Sequence, residues 1–249
     1  MFSRSEISLR KWCTFMSLCM LSKIMFEMFV EEALKPTAEG PDLYRPTEVT
    51  ATIENQVCAP VRKIVFAKTH KTAGSTVASI IDRYSFNHHL SAPVNGFVRN
   101  ISQFVHFNRT SVSAITELDV FTRHVRYNHK EFDLAIPGAK HVTILRNPVY
   151  QFESAFVFYE VADKLNISKF ENPMDMFFQK PHEYISQRFY RWETVFNHQL
   201  FDLGFDTKLS SSQDAVQFKI LQLSNDFDLV MISEYFDESL ILLKQLLCW

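Results

Sequence analysis

Glycine is scarce in this chain, with five among 249 residues beside nine prolines. That scarcity excludes a collagen-like or low-complexity protein, and no internal repeat is present. A surplus of basic charge is also missing. The formal net charge is −2, so the chain has no global positive field and nucleic acid is not implied as a partner. Any anion site must be a local cluster. Four cysteines, Cys13, Cys19, Cys58 and Cys248, do not make a disulfide framework. The last two either pair in an oxidising compartment or stay as free buried thiols. An unbroken apolar run of membrane-spanning length is absent too. Residues 12–30 come near it, but Lys23 and Glu27 interrupt them. Each charge at mid-span would cost about 2.5–3.5 kcal/mol. Being four apart, the two can share one helix face, which softens that cost.

Apolar material is plentiful. Hydrophobic residues make up 47% of the chain and phenylalanine alone counts 24, enough for a large core. The length suits one domain of about 190 residues behind an N-terminal extension. Arg4, Arg10 and Lys11 precede the 12–30 segment, as the positive-inside rule asks of a cytoplasmic tail. Residues 1–11 are thus expected to be that tail and 12–30 a candidate signal anchor, with an amphipathic or soluble helix, or a wrongly assigned leader, left open. Residues 31–60, with Pro36, Gly40, Pro41, Pro46 and Pro60, read as a stem, and 61–249 as the folded domain. Three N-glycosylation triplets, beginning at Asn100, Asn108 and Asn166, lie beyond the candidate anchor.

Residues 63–84 are the most informative segment. Ile64, Val65, Phe66 and Ala67 read as a buried strand. A basic, hydroxyl-rich loop follows, and then Val77, Ile80, Ile81 and Tyr84 recur at helical spacing. Strand, loop and helix aim backbone N–H groups and a helix N-terminus at one anion. The cradle would run through Lys71, Thr72, Ala73, Gly74, Ser75 and Thr76, with Lys71, Ser75 and Thr76 adding side-chain donors. It is not a Walker A loop. The lysine lies three residues before the glycine, and the second glycine is missing.

A second strand is expected over 141–145, ending in Arg146-Asn147-Pro148. Asn147 can cap the next helix and Pro148 suits its first position. That helix is expected to carry Val149, Phe152, Phe156 and Tyr159 inward. A nucleotide triphosphatase would want an acidic residue at this strand end to hold magnesium. Arg146 instead forks phosphate oxygens and repels a metal, and Ser154 can add a hydroxyl. Two anion sites without an evident metal ligand suit a nucleotide with two separated phosphate groups. The donor 3′-phosphoadenylyl sulfate (PAPS) fits that description better than ATP, and no metal is expected.

The stretch from Lys68 to Thr76, the Leu145-Arg146-Asn147-Pro148 turn and Phe152-Glu153-Ser154 resemble the galactose-3-O-sulfotransferase family. Phe201-Asp202-Leu203-Gly204-Phe205-Asp206, the stretch from Ser233 to Leu240 and the closing Leu247-Cys248-Trp249 agree with it. The resemblance covers roughly residues 58–249. It implies a sulfotransferase fold, an α/β P-loop-like parallel sheet with helices on both faces. It further implies a single-pass type II Golgi membrane protein with a lumenal domain. The activity implied is transfer of a sulfuryl group from PAPS to the 3-hydroxyl of a β-galactosyl residue on a glycolipid or glycan. Family members continue past Trp249, so the domain is expected to be C-terminally incomplete. A P-loop nucleotide kinase, or a nucleotide-binding fragment without turnover, stays open as an alternative.

The expected order is strand 63–67, helix 75–84, a short helix near 111–117, strand 119–123, strand 141–145, helix 149–161, helical segments between 173 and 200, strand 228–232 and helix 237–247. Strands alternating with helices make a parallel sheet, and ligands bind at the carboxyl ends of its strands. Sulfuryl transfer needs a base for the attacking hydroxyl and a cation on the leaving oxygen. Lys71 suits the second task. For the first, His124, just after strand 119–123, is the leading candidate and His70 the runner-up. Phe152, Phe156, Phe158 and Tyr159 are expected to be core rather than a sugar platform. Tyr190 and Trp192 are weaker acceptor candidates.

Overall fold

The computed structural model describes residues 58–93, 102–112, 117–186, 197–206, 209 and 212–249. The expected tail, anchor and stem up to residue 57, Asn100 and Ile101 of the first triplet, and Tyr190 and Trp192 lie outside the described residues. Among those described, no helix is long and apolar enough to cross a membrane.

Four strands form one parallel sheet in the order β2-β1-β3-β4: β1 Ile64–Ala67, β2 Val120–Phe121, β3 Lys140–Leu145 and β4 Leu229–Ile232. Val65 stands beside His141 and Leu145 beside Ile232 in the ladders. The helices are α1 Gly74–Asn87, α2 His129–Ala135, α3 Pro148–Phe158, α4 Val161–Lys164, α5 Pro173–Gln179, α6 Pro181–Ser186, α7 His198–Asp202, α8 Gln213–Asp226 and α9 Phe236–Leu247. Successive strand residues point to opposite faces, and here both faces are covered. Ile64, Phe66, Val120, Val142, Ile144 and Met231 pack with Val77 and Ile81 of α1 and Leu243 and Leu247 of α9. Val65, Ala67, Phe121, Leu145 and Ile232 pack with Phe132 of α2 and Val216, Ile220 and Leu223 of α8. Continuous apolar strands are what a parallel sheet buried on both faces requires. The expected fold class is therefore the observed one.

Several boundaries differ from expectation. The strand expected over 119–123 is two residues long. The helix expected near 111–117 is a 3-10 turn, Arg109–Val112, with 113–116 outside the described residues. The helix expected over 149–161 breaks at Glu160, which takes a left-handed φ of 52°, and so becomes α3 and α4. Asn147 does cap α3, accepting from the Val149 N–H, with Pro148 in its first turn. Val149, expected inward, is 64% exposed. The buried stripe of α3 runs through Gln151, Ala155 and Phe156, and Val149 falls beyond its edge. Phe152, Phe156 and Tyr159 join a third apolar cluster, whereas Phe158 lies 62% exposed. Helices α2 and α8 were not anticipated. Asn128 and Ser212 cap them by accepting from the N–H groups of Glu131 and Ala215. Cys58 and Cys248 are joined by a disulfide, which decides between the two states left open for them.

Candidate active site

The loop leaving β1 is fastened from beneath. The Thr69 hydroxyl donates to the carbonyl of Ile144 at the end of β3 and lies 2.8 Å from the Thr72 hydroxyl. The Thr72 side chain is thereby fully buried within the loop, leaving its backbone to face a ligand. Lys71 and Ala73 take left-handed φ angles of 62° and 67°. Such alternation turns successive N–H groups into a concave, anion-binding nest. Among the described residues, the N–H groups of Lys71, Thr72, Ala73, Gly74 and Ser75 form no hydrogen bond. Gly74 opens α1, and a Cβ there would stand 3.1 Å from the Thr69 carbonyl oxygen, so the loop closes over a residue without a side chain. Ser75 and Thr76 are exposed on the first turn of α1.

Arg146 is set opposite this loop by an exchange with Gln199 of α7. The Arg146 N–H donates to the Gln199 side-chain oxygen and the Arg146 carbonyl accepts from its amide, both at 2.8 Å. The guanidinium then donates through Nη1 to the Lys71 carbonyl at 3.1 Å. Lys71, Arg146, Tyr150, Glu153, Ser154, Val157 and Phe158 line an open cleft of about 360 Å³. Lys71 Nζ sits 3.8 Å above the Phe158 ring, a cation–π contact on an exposed aromatic. Burial, and secondarily the Arg146 charge, push the Lys71 ammonium below its ordinary range. Two cations and a hydroxyl on the walls of one cleft, with the single carboxylate of Glu153, suit an anionic ligand.

Next to the cleft, three imidazoles stack. His70 lies 3.8 Å from His124 on one side and 4.1 Å from His198 on the other, centroid to centroid. Asp202 fixes His70 twice, accepting from its backbone N–H at 2.7 Å and lying 2.9 Å from Nδ1. Gln151 of α3 donates to the His70 carbonyl, and Gln103 lies 2.9 Å from His70 Nε2. Burial pushes the Asp202 carboxyl up, against the opposing pull of His70. His124 meets the Lys68 carbonyl through Nδ1 at 3.2 Å. Burial first, then His70 and Lys68, drive its pKa down to about 3.

Asp202 is held by a clamp in the Phe201–Asp206 segment. Its carbonyl accepts from the Tyr127 N–H at 2.7 Å, and Arg126 donates to the carbonyls of Phe201 and Phe205. Gly204, at φ 82°, passes so close that a Cβ would stand 2.2 Å from the Tyr127 carbonyl oxygen. The expected Lys71, Arg146 and Ser154 thus meet in one cleft, with 72–76 on its loop and His70 and His124 stacked alongside. Asp202, Gln199 and Gln151 were not singled out, and Phe158, expected in the core, lines the cleft instead. Only Asp202 carried a signal, lying inside a motif already marked.

A parallel sheet with an anion-nest loop after its first strand and an arginine at the end of the neighbouring strand defines an α/β protein with cationic and N–H groups gathered at the carboxyl ends of its strands. The galactose-3-O-sulfotransferase family model matches residues 5–249, and the chain belongs to that family. It is 34% identical over 197 residues to the galactosylceramide sulfotransferase of Mus musculus, covering 77% of this chain and 47% of the relative. The bovine galactosylceramide sulfotransferase is 36% identical over 198 residues, with the same coverage. The galactose-3-O-sulfotransferase 2 of Mus musculus is 31% identical over 208 residues, covering 76% of this chain and 50% of the relative. The chain spans about half the length of these curated relatives. No solved structure matches it.

Proposed function

We propose that this protein transfers a sulfuryl group from PAPS to the 3-hydroxyl of a β-galactosyl residue, on a galactosylceramide-like glycolipid or a glycan. The observation that carries this reading is the cleft in which Lys71, Arg146 and Ser154 face one another beside a loop of five unpaired N–H groups. The nest would hold the 5′-phosphate side of the donor, and Arg146 with Ser154 the 3′-phosphate. In the transfer step the acceptor oxygen bonds to sulfur as the sulfur–oxygen bond to the 5′-phosphate breaks. The acceptor proton passes to a histidine, and Lys71 neutralises the leaving phosphate oxygen.

Of the two expected histidines, we favour His70 for the base role. Its Nδ1 is oriented by a buried carboxylate, which favours an imidazolium once the proton arrives. His124 is a poorer proton acceptor, since its pKa lies near 3. In this reading His124 packs the face of His70 and helps keep it in place.

The reading extends to a lumenal, Golgi-type setting with the chain tethered through 12–30. The Cys58–Cys248 disulfide supports an oxidising compartment. Asn108 is exposed, and its side-chain oxygen accepts from the Thr110 hydroxyl at 2.7 Å, which presents that triplet at the surface. Transfer of labelled sulfate from PAPS to a panel of β-galactosides, with adenosine 3′,5′-bisphosphate binding measured in parallel, tests the function. Product sulfated at the galactose 3-hydroxyl is expected. Magnesium-dependent ATP turnover without bisphosphate binding would replace this reading with a kinase.

A further inference from the structure

A second cluster of ligand-type side chains lies at the opposite end of the sheet. His141 is the second residue of β3, near where the strands start, whereas the proposed donor cleft is at their carboxyl ends. His129 and Asp133 occupy one face of α2 at a four-residue spacing, and Asp226 ends α8. Ligand atoms of His129, Asp133 and His141 all lie within 4.8 Å of one another. His129 Nε2 is 3.2 Å from Asp133 Oδ2, and His141 Nε2 is 3.2 Å from Asp133 Oδ1. Those separations approach the edge of a tetrahedron drawn around zinc with bonds of about 2.0 Å, which is about 3.3 Å. Asp226 Oδ1 stands 4.0 Å from His129 Nε2, within reach of a fourth position after a small rotation.

Two further observations point to a ligand rather than to simple ion pairs. The His141 side chain is 3% exposed, and its Nε2 meets the Asp133 carboxylate at 3.2 Å without hydrogen-bond geometry, while Asp226 Oδ2 is buried without a partner among the described residues. Buried polar atoms are rarely left unsatisfied without a reason. The second is the Tyr127 hydroxyl, whose oxygen lies 2.9 Å from His129 Nδ1 and 2.8 Å from His141 Nδ1. When its oxygen accepts from both Nδ1–H groups, both rings take the tautomer that turns the Nε2 lone pairs toward Asp133. Metal-ligating histidines are characteristically fixed in this way through the other ring nitrogen. Two neutral imidazoles and two carboxylates balance a dication.

We propose that His129, Asp133 and His141, with Asp226 closing the set and Tyr127 positioning both rings, form a structural site for a zinc-class divalent ion. The ion would pin α2 and α8 to the start of β3, remote from the donor cleft. A mixed imidazole–carboxylate set favours zinc or its cobalt surrogate over magnesium or calcium, which take oxygen ligands.

Titration of zinc into the full chain, followed by calorimetry, should give one equivalent bound, and cobalt(II) should give the visible bands of a four-coordinate nitrogen–oxygen site. Zinc at a hundredfold excess over its Kd should raise the melting temperature by about 5–10 °C. His129→Gln and Asp133→Asn each change a partly exposed side chain and should each weaken zinc at least about 10-fold. Tyr127→Phe removes no ligand and should weaken it about 10–100-fold. Melting curves without metal show whether each variant folds, and a variant that fails to fold leaves the decision to the others. The proposal is overturned if no equivalent binds, if folded His129→Gln and Asp133→Asn bind zinc unchanged, or if binding is lost in Asp202→Asn instead. That last result would move the metal to the His70, His198 and Asp202 group.

Discussion

Lys71 holds two roles that a single substitution separates. Its backbone turns the loop left-handed, and its ammonium reaches the cleft over Phe158. Lys71→Ala should lower turnover more than donor affinity, because a cation on the bridging oxygen gains most when that oxygen becomes charged. A fall in donor affinity with unchanged turnover at saturation would make it a binding residue only. Asp202→Asn tests the histidine support. The amide no longer stabilises an imidazolium at His70, so turnover should drop about 10²–10⁴-fold with donor binding kept. An unchanged rate would remove His70 from the base role. His124 carries a pH signature. Burial holds its folded pKa near 3, below the ordinary 6.5, so the unfolded chain takes up a proton first as the pH falls. Its contribution is complete above about pH 6.5 and declines as the pH drops toward about 3. Between about pH 7 and about pH 5, urea midpoints of the parent should therefore fall more than those of His124→Gln. Parallel slopes would contradict a buried neutral ring.

Elements were legible in proportion to their length and apolar periodicity. Strands β1, β3 and β4, and helices α1, α3 and α9, were anticipated within a few residues, because each is a continuous apolar run or a stripe with a recognisable start. The edge strand β2 was overestimated, since only Val120 and Phe121 reach a partner strand. Helix α2 hid behind a polar sequence in which Phe132 alone is buried. Glycines at turns looked alike in sequence and are unlike in the fold. Gly138 and Gly204 both have positive φ, but a Cβ at Gly138 meets nothing within 4 Å. Gly138→Ala should cost about 1–2 kcal/mol, the penalty of the left-handed backbone alone. Gly204→Ala adds a collision with the Tyr127 carbonyl and should cost more than about 4 kcal/mol, or prevent folding. Urea denaturation of the two variants side by side checks this, and equal midpoints would mean the 201–206 clamp is loose.

At the scale of the molecule, the disulfide closes nearly the whole domain. Cys58 and Cys248 are separated by 190 residues, and Val61 also donates to the Leu247 carbonyl at 2.9 Å. A loop that long restricts the unfolded chain strongly, so Cys58→Ser should lower stability by about 3–5 kcal/mol under oxidising conditions. Reduction of the parent should reproduce that loss, and a midpoint insensitive to both would show that the segment before β1 is held by packing alone. The sequence by itself determined the parallel α/β class, the phosphate-type loop and Arg146, because buried strands, helix starts and strand-end cations are written in local spacing. Whether Cys58 and Cys248 pair, which carboxylate orients His70, and how His129, Asp133 and His141 meet were decided only by the tertiary structure. The first two join positions 190 and 132 residues apart, and the third needs the turn from α2 into β3, so crossovers and register bring them together where no local period in the chain marks them.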